Sequence, residues 1–162
     1  MDPSEWYMFF HFLGFGLVMT LLISGWLLHK QYMAASDFKT KSVILTSARM
    51  VGLLSPATIV LLLLTGVLNM IIRDLGFTTE TWLTVKIVLF LIAAVNGVIF
   101  GIRSKKRGML VAQMAKGEAP AGAEKILAGM DRYSLMYLVL QTILITAILV
   151  LAIWKPGTSR GA

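Results

Sequence analysis

Four stretches of this chain stay apolar long enough to cross a hydrocarbon layer, and its polar residues collect between them. The runs are 6–28, 51–72, 82–102 and 133–154. A helix needs roughly 20 apolar residues to span a bilayer core, and each run meets that length. Together they use more than half the chain, which predicts one membrane domain over residues 1–162 with no separate soluble domain. Short outer connections make consecutive spans antiparallel neighbours, so the predicted fold is an all-α, integral membrane, up-down four-helix bundle. Backbone groups in hydrocarbon must pair internally, so each span should be helical throughout. Ser55-Pro56 is the expected irregularity, because proline removes one helical hydrogen bond and should kink the second span near its inner end.

The polar segments orient the bundle. The loop after the first span holds Lys30, Lys39, Lys41 and Arg49 against Asp37. The loop over 103–131 and the residue after it hold Arg103, Lys105, Lys106, Arg107, Lys116, Lys125 and Arg132 against three acids. The connection between spans two and three has only Arg73 against Asp74 and Glu80. Basic loops stay cytoplasmic, so both termini are expected outside, in a membrane of the bacterial inner (plasma) type. Trp6, Trp82 and Trp154 then fall at the outer interface, and Tyr32 and Tyr133 at the inner one. In the 103–131 segment, RSKKRGMLVAQMAKG either continues the third helix or lies along the membrane surface. GEAPAGAE reads as a flexible break, and KILAGM as a short helical turn.

Composition agrees. The chain is 57% hydrophobic and 14% charged, against about 25% charged in soluble domains, and its mean hydropathy is +0.80. The net charge of +7 reads as topogenic charge beside an anionic leaflet, so no nucleic acid is expected as a partner. The absence of cysteine excludes disulfides, iron–sulfur clusters, thiolate zinc sites and covalently attached haem. The leader MDPSEW is acidic and the first apolar run is long, so that run is expected to remain as a transmembrane helix.

Chemistry must then come from polar groups at membrane depth, which usually face an interior or a cavity. The two histidines, His11 and His29, bracket the first span. Their spacing is five helical turns, which puts them on one face but roughly 27 Å apart. A single metal or porphyrin cannot bind both. Between them that face carries Gly14, Val18, Leu22 and Gly25, small enough in part to admit another helix or a flat ligand. His11 is a ligand candidate or a helix-bridging histidine; His29 is by default an interfacial one. Met8 and Met33 share the faces of His11 and His29, a pairing that suits haem or Cu(I). Lys86 sits near the depth of His11, either snorkelling outward or facing an anionic group inside. Thr65, Asn69 and Arg73 form a polar stripe on the second span. Inner-side candidates are His29, Arg49, Tyr137 and Gln141, with Asn96 near the middle of the third span. No acid lies well inside any span, which argues against a carboxylate proton relay.

The Phe-His pair at Phe10-His11, Gly14 and the Gly-Trp at Gly25-Trp26 resemble the opening helix of the HemJ-type protoporphyrinogen oxidases and of the CopD-like copper-resistance membrane proteins. Pro56 with LLLLTGVLNM, and WLTVKIVLFLIAAVNG around Lys86, resemble their second and third helices. The resemblance implies a haem b site ligated by His11, with Lys86 in the active region. The chain departs from the pattern at Asn96, where a histidine would be expected. The leading expectation is a redox-linked membrane protein that holds haem b or a similar porphyrin near the outer leaflet. His11 would be the axial ligand, Met8 a further metal-ligating candidate, and Gly14 and Asn69 lining residues, with Lys86 and Arg73 near the propionates. One alternative is a non-catalytic accessory or scaffold subunit, whose partners are other membrane subunits or copies of itself. A copper or small-solute transporter is the other.

Overall fold

The computed structural model describes residues 3–72 and 80–154. Among them every regular element is an α-helix: α1 Pro3–Ala34, α2 Phe38–Gly52, α3 Ser55–Ile72, α4 Thr81–Lys116 and α5 Ala123–Trp154. Four segments are long and apolar enough to cross a membrane, namely α1, the α2–α3 pair, α4 and α5. They form a bundle of two long helical hairpins.

The first hairpin turns between Ala34 and Phe38. Asp37 caps α2, its carboxylate accepting from the Thr40 backbone N–H at 2.8 Å and from the Thr40 hydroxyl at 2.7 Å. This satisfies an N–H that the helix start leaves without an intrahelical partner. The contact with Thr40 holds the Asp37 carboxyl below the usual carboxylate range, the backbone hydrogen bond contributing most. The expected irregularity at Ser55-Pro56 is a full break between two helices. Pro56 falls in the first turn of α3, where its missing N–H is harmless. The Leu53 and Leu54 N–H groups still bond back to Arg49, Met50 and Val51, so the backbone stays paired through the bend.

The second hairpin turns at 117–122, between two glycines in the left-handed region, Gly117 (φ 78°) and Gly122 (φ 79°). Gly117 closes α4 with its N–H on the Met114 carbonyl, and Glu118 bonds back to Gln113. The basic segment 103–116 is therefore the continuation of α4. KILAGM is the opening of α5 rather than a separate turn. With 36 residues, α4 is roughly 54 Å long, about 24 Å more than a hydrocarbon core. The surplus, with α2 and the near ends of α1 and α5, makes a helical head at the end where both hairpins turn.

That head has its own core. Tyr32 and Val111 are almost completely buried, packed with Leu110, Ala123 and Leu127 and flanked by Phe38, Ile44, Leu45 and Met114. Tyr32 thus lies inside the head, because α2 folds back beside α1 and covers it. At the opposite end Met70, Trp82 and Leu83 form a smaller cluster with Ile87 and Leu151. Trp82 turns inward there, its indole N–H donating to Glu80 at 3.0 Å, while Trp6 and Trp154 stay exposed. Between the two clusters the outward faces are large and apolar, with Phe12, Ile71, Val98 and Ile143 all exposed. Helix α1 packs along α3 and α4 along α5, and the hairpins join through α1–α5 and, in the head, α2–α4. The α3–α4 pair shares the Met70–Trp82–Leu83 cluster rather than a long face.

Candidate functional site

Polar side chains tie the helices together at successive depths. Asn96 donates from Nδ2 to Gln141 Oε1 at 3.1 Å, joining α4 to α5. Trp26 Nε1 donates to the Thr142 hydroxyl at 3.0 Å, joining α1 to α5. The rings of Phe100 and Tyr137 stack at 3.7 Å with planes 5° apart. Close approach is helped by Gly25, where an added Cβ would meet Leu138 at 3.1 Å.

The site remote from the head, the outer end in the orientation expected from the charges, is built on α1 and α3. His11 Nδ1 lies 2.8 Å from the Thr65 hydroxyl oxygen. That hydroxyl donates its one proton to its own helix, to Leu61 O at 2.7 Å with Leu62 O at 3.3 Å as a second acceptor. With that proton on Leu61, the Thr65 oxygen faces His11 as an acceptor, the arrangement that assigns the imidazole proton to Nδ1 and the lone pair to Nε2. An outer-shell hydrogen bond of this kind fixes the tautomer and ring orientation of metal-bound histidines. Beside the ring, a Cβ on Gly66 would stand 3.8 Å from His11 Cε1, so glycine leaves that edge uncrowded. Four residues beyond Thr65, Asn69 has a buried Oδ1 with no hydrogen-bond partner. Lys86 on α4 is half-buried and within electrostatic reach of His11.

The remaining outer candidates are placed differently. Gly14 is buried against α3, where an added Cβ would meet Leu62 at 3.0 Å, so α3 already occupies the space its side chain would fill. Met8 is half-buried on α1. Arg73 lies outside the described residues. Among the described residues no cluster of three or more His, Asp or Glu is arranged to hold a metal ion.

The head, the inner end in the orientation expected from the charges, holds a network that the charge pattern does not reveal. Arg107 on α4, 5% exposed, donates from Nε to Asp131 Oδ1 on α5 at 2.7 Å and from Nη1 to the Ser134 hydroxyl at 3.2 Å. Its guanidinium lies over the Tyr32 ring, 3.9 Å from the centroid, and the Tyr32 hydroxyl makes a long 3.5 Å contact to Asp131. Lys41 of α2 approaches the same ring at 5.3 Å. His29 is also within electrostatic reach of Arg107 and Asp131, and its buried Nδ1 has no hydrogen-bond partner. Summing Arg107 and Asp131 as loop charges conceals an ion pair between α4 and α5 that packs against Tyr32 of α1. The available signal was the spacing of Asp131 and Ser134, which puts both on one face of α5.

Just beyond this network a cavity of about 400 Å³ opens between α4 and α5. Its wall includes Arg103, Lys106, Arg107 and Tyr133, and Arg103 stacks over the Tyr133 ring at 4.1 Å. The four inner-side candidates therefore separate. Tyr137 and Gln141 serve α4–α5 packing, His29 borders the ion pair, and Arg49 is exposed on α2. Comparison of the chain with protein-family models, curated sequences and solved structures returns no match.

Proposed function

We propose that the chain is an integral membrane protein of a bacterial-type inner membrane, with both termini outside, and that it is redox-linked. In this reading it holds haem b or a similar porphyrin in the outer leaflet through His11. Insertion is supported by four long apolar helices whose outward faces expose large hydrophobic side chains. A soluble monomer rarely leaves so much apolar surface in contact with water. The orientation is supported by basic residues gathered at the end where both hairpins turn.

The observation that carries the cofactor reading is the Thr65 hydroxyl on His11 Nδ1. It leaves Nε2 with its lone pair, which is what an axial ligand needs, and the donor present fits a group held through one imidazole nitrogen. His29 is too far along α1 to be a second ligand. Lys86, which the HemJ-type resemblance implies is in the active region, would direct its ammonium toward carboxylates of the bound group. Bound haem would supply one-electron redox chemistry; the protein's part is to fix the imidazole and exclude water. Purification in mild detergent after expression with ample haem, with spectra before and after dithionite, tests this. A Soret band that His11→Ala abolishes and His29→Ala leaves intact is expected. No band in the native protein, or the reverse dependence, refutes the assignment.

A second reading, an accessory subunit of a membrane complex, is favoured by the head. Its core around Tyr32 and Val111 is the most completely buried part of the described chain. That reading expects the native protein to co-purify with larger membrane assemblies, and solitary behaviour in native gels of solubilised membranes counts against it.

A further inference from the structure

We propose that the cavity between α4 and α5 is a binding site for the phosphate of an anionic phospholipid of the inner leaflet. The inference rests on the chain being inserted with the head on the cytoplasmic side, and not on His11. Depth is the first argument. Arg103 follows Trp82 by 21 residues and Tyr133 precedes Trp154 by 21, roughly 31 Å along each helix, so both lie just past a hydrocarbon core about 30 Å thick. The cavity therefore opens at headgroup level, with Phe100 in its wall one turn deeper.

Charge is the second argument. Arg103, Lys106 and Arg107 all line the cavity, and no acid does. Asp131 neutralises Arg107, which leaves two cations, Arg103 and Lys106, facing a site that a phosphodiester anion would balance. Preorganisation is the third. The Arg103 guanidinium is stacked on Tyr133 at 4.1 Å, which holds the plane while leaving its edge N–H groups free to grip two phosphate oxygens. Gly129 lines the opposite wall, and a Cβ there would meet nothing within 4 Å. Basic pockets between membrane helices on the cytoplasmic side are a recurrent form of headgroup site.

The test uses the full chain in mild detergent, probed with phosphatidylglycerol, phosphatidylcholine or inorganic phosphate. Lipid retention is read by native mass spectrometry, and stability by the thermal midpoint. Four proteins are compared: wild type, R103Q/K106Q, the charge-matched control K105Q/K116Q, whose exposed lysines lie outside the cavity wall, and Gly129→Leu, which fills the cavity without changing charge. Phosphatidylglycerol should be retained by wild type and raise its midpoint by about 5 °C at saturation. R103Q/K106Q and Gly129→Leu should each weaken retention about tenfold or more. The control should lose less than about twofold at 0.15 M salt, where distant charges are screened. Equal losses in the control, or undiminished binding by Gly129→Leu, overturn the site. Stabilisation by inorganic phosphate that matches the lipid overturns the lipid assignment in favour of a soluble anion. Co-flotation with phosphatidylcholine vesicles separately reports insertion. A chain that fails to float overturns the proposal at its premise, whereas one that floats and ignores phosphatidylglycerol overturns the site alone.

Discussion

The inner and outer ends of this bundle hold their polar groups in different ways. At the inner end Arg107 has an ion pair with Asp131, a hydrogen bond to Ser134 and the Tyr32 ring beneath it, while its Nη2 and the nearby His29 Nδ1 are buried without a partner. At the outer end His11 has one hydrogen bond, from a nitrogen that leaves the other free, and Asn69 keeps a buried acceptor with no partner. The inner end thus holds a cation through several partners, whereas the outer end holds an imidazole through one.

The largest test of that contrast is at Asp131. Asp131→Ala leaves the Arg107 charge buried without its counter-ion and should cost about 3–5 kcal/mol. Unfolding in mixed micelles, followed by circular dichroism, measures this. Replacing both partners, as R107M/D131L, should recover most of that loss, since an apolar pair of similar volume is often neutral or better than the ions. If the double variant is as unstable as the single one, the pair does more than fill space. Thr65→Val addresses the outer end. It should lower haem retention roughly 10- to 100-fold, as loss of an outer-shell partner does, yet cost only about 0.6 kcal/mol in stability. A large stability loss with unchanged haem would make the His11–Thr65 bond purely structural.

Asn96→Ala probes a hydrogen bond between these ends, and about 0.6 kcal/mol of stability is expected to be lost with no change in the haem spectrum. The smallest effect is expected at the Asp37 cap. Its folded pKa is depressed, so its contribution is present above the ordinary carboxylate pKa and fades as pH falls through the lowered value. Amide exchange at the start of α2 should quicken on acidification through that window, and Asp37→Ala should show the faster exchange at neutral pH already.

How much of this could be read from the chain follows from what a one-dimensional pattern contains. The long apolar helices were legible because hydrocarbon thickness demands a run that few other structures need. Residues 38–52 read as loop because lysines and threonines interrupt their apolar positions; the helix there is amphipathic and packs on α1 and α4. Tyr32 reads as an interfacial ring because its cover, α2, reads as a connection. Arg107 is indistinguishable from its basic neighbours in the chain, because its partner lies 24 residues away across a turn. His11 stood out because a lone histidine in an apolar run is conspicuous. Its tautomer depended on Thr65, 54 residues distant, and no local spacing encodes that.

The second hairpin carries a further consequence. Asn96 with Gln141, Phe100 with Tyr137, Arg103 with Tyr133 and Arg107 with Asp131 are each centred on Glu118 or Ala119. The two helices thus pair like the halves of a folded ruler, and every mark depends on the same crease. Deleting one residue within α5 would rotate everything on one side of the cut by about 100° and misalign those marks together. Extra residues at the crease, between Gly117 and Gly122, would shift none of them. That turn is where an epitope or a reporter domain can be spliced into this protein without disturbing either end.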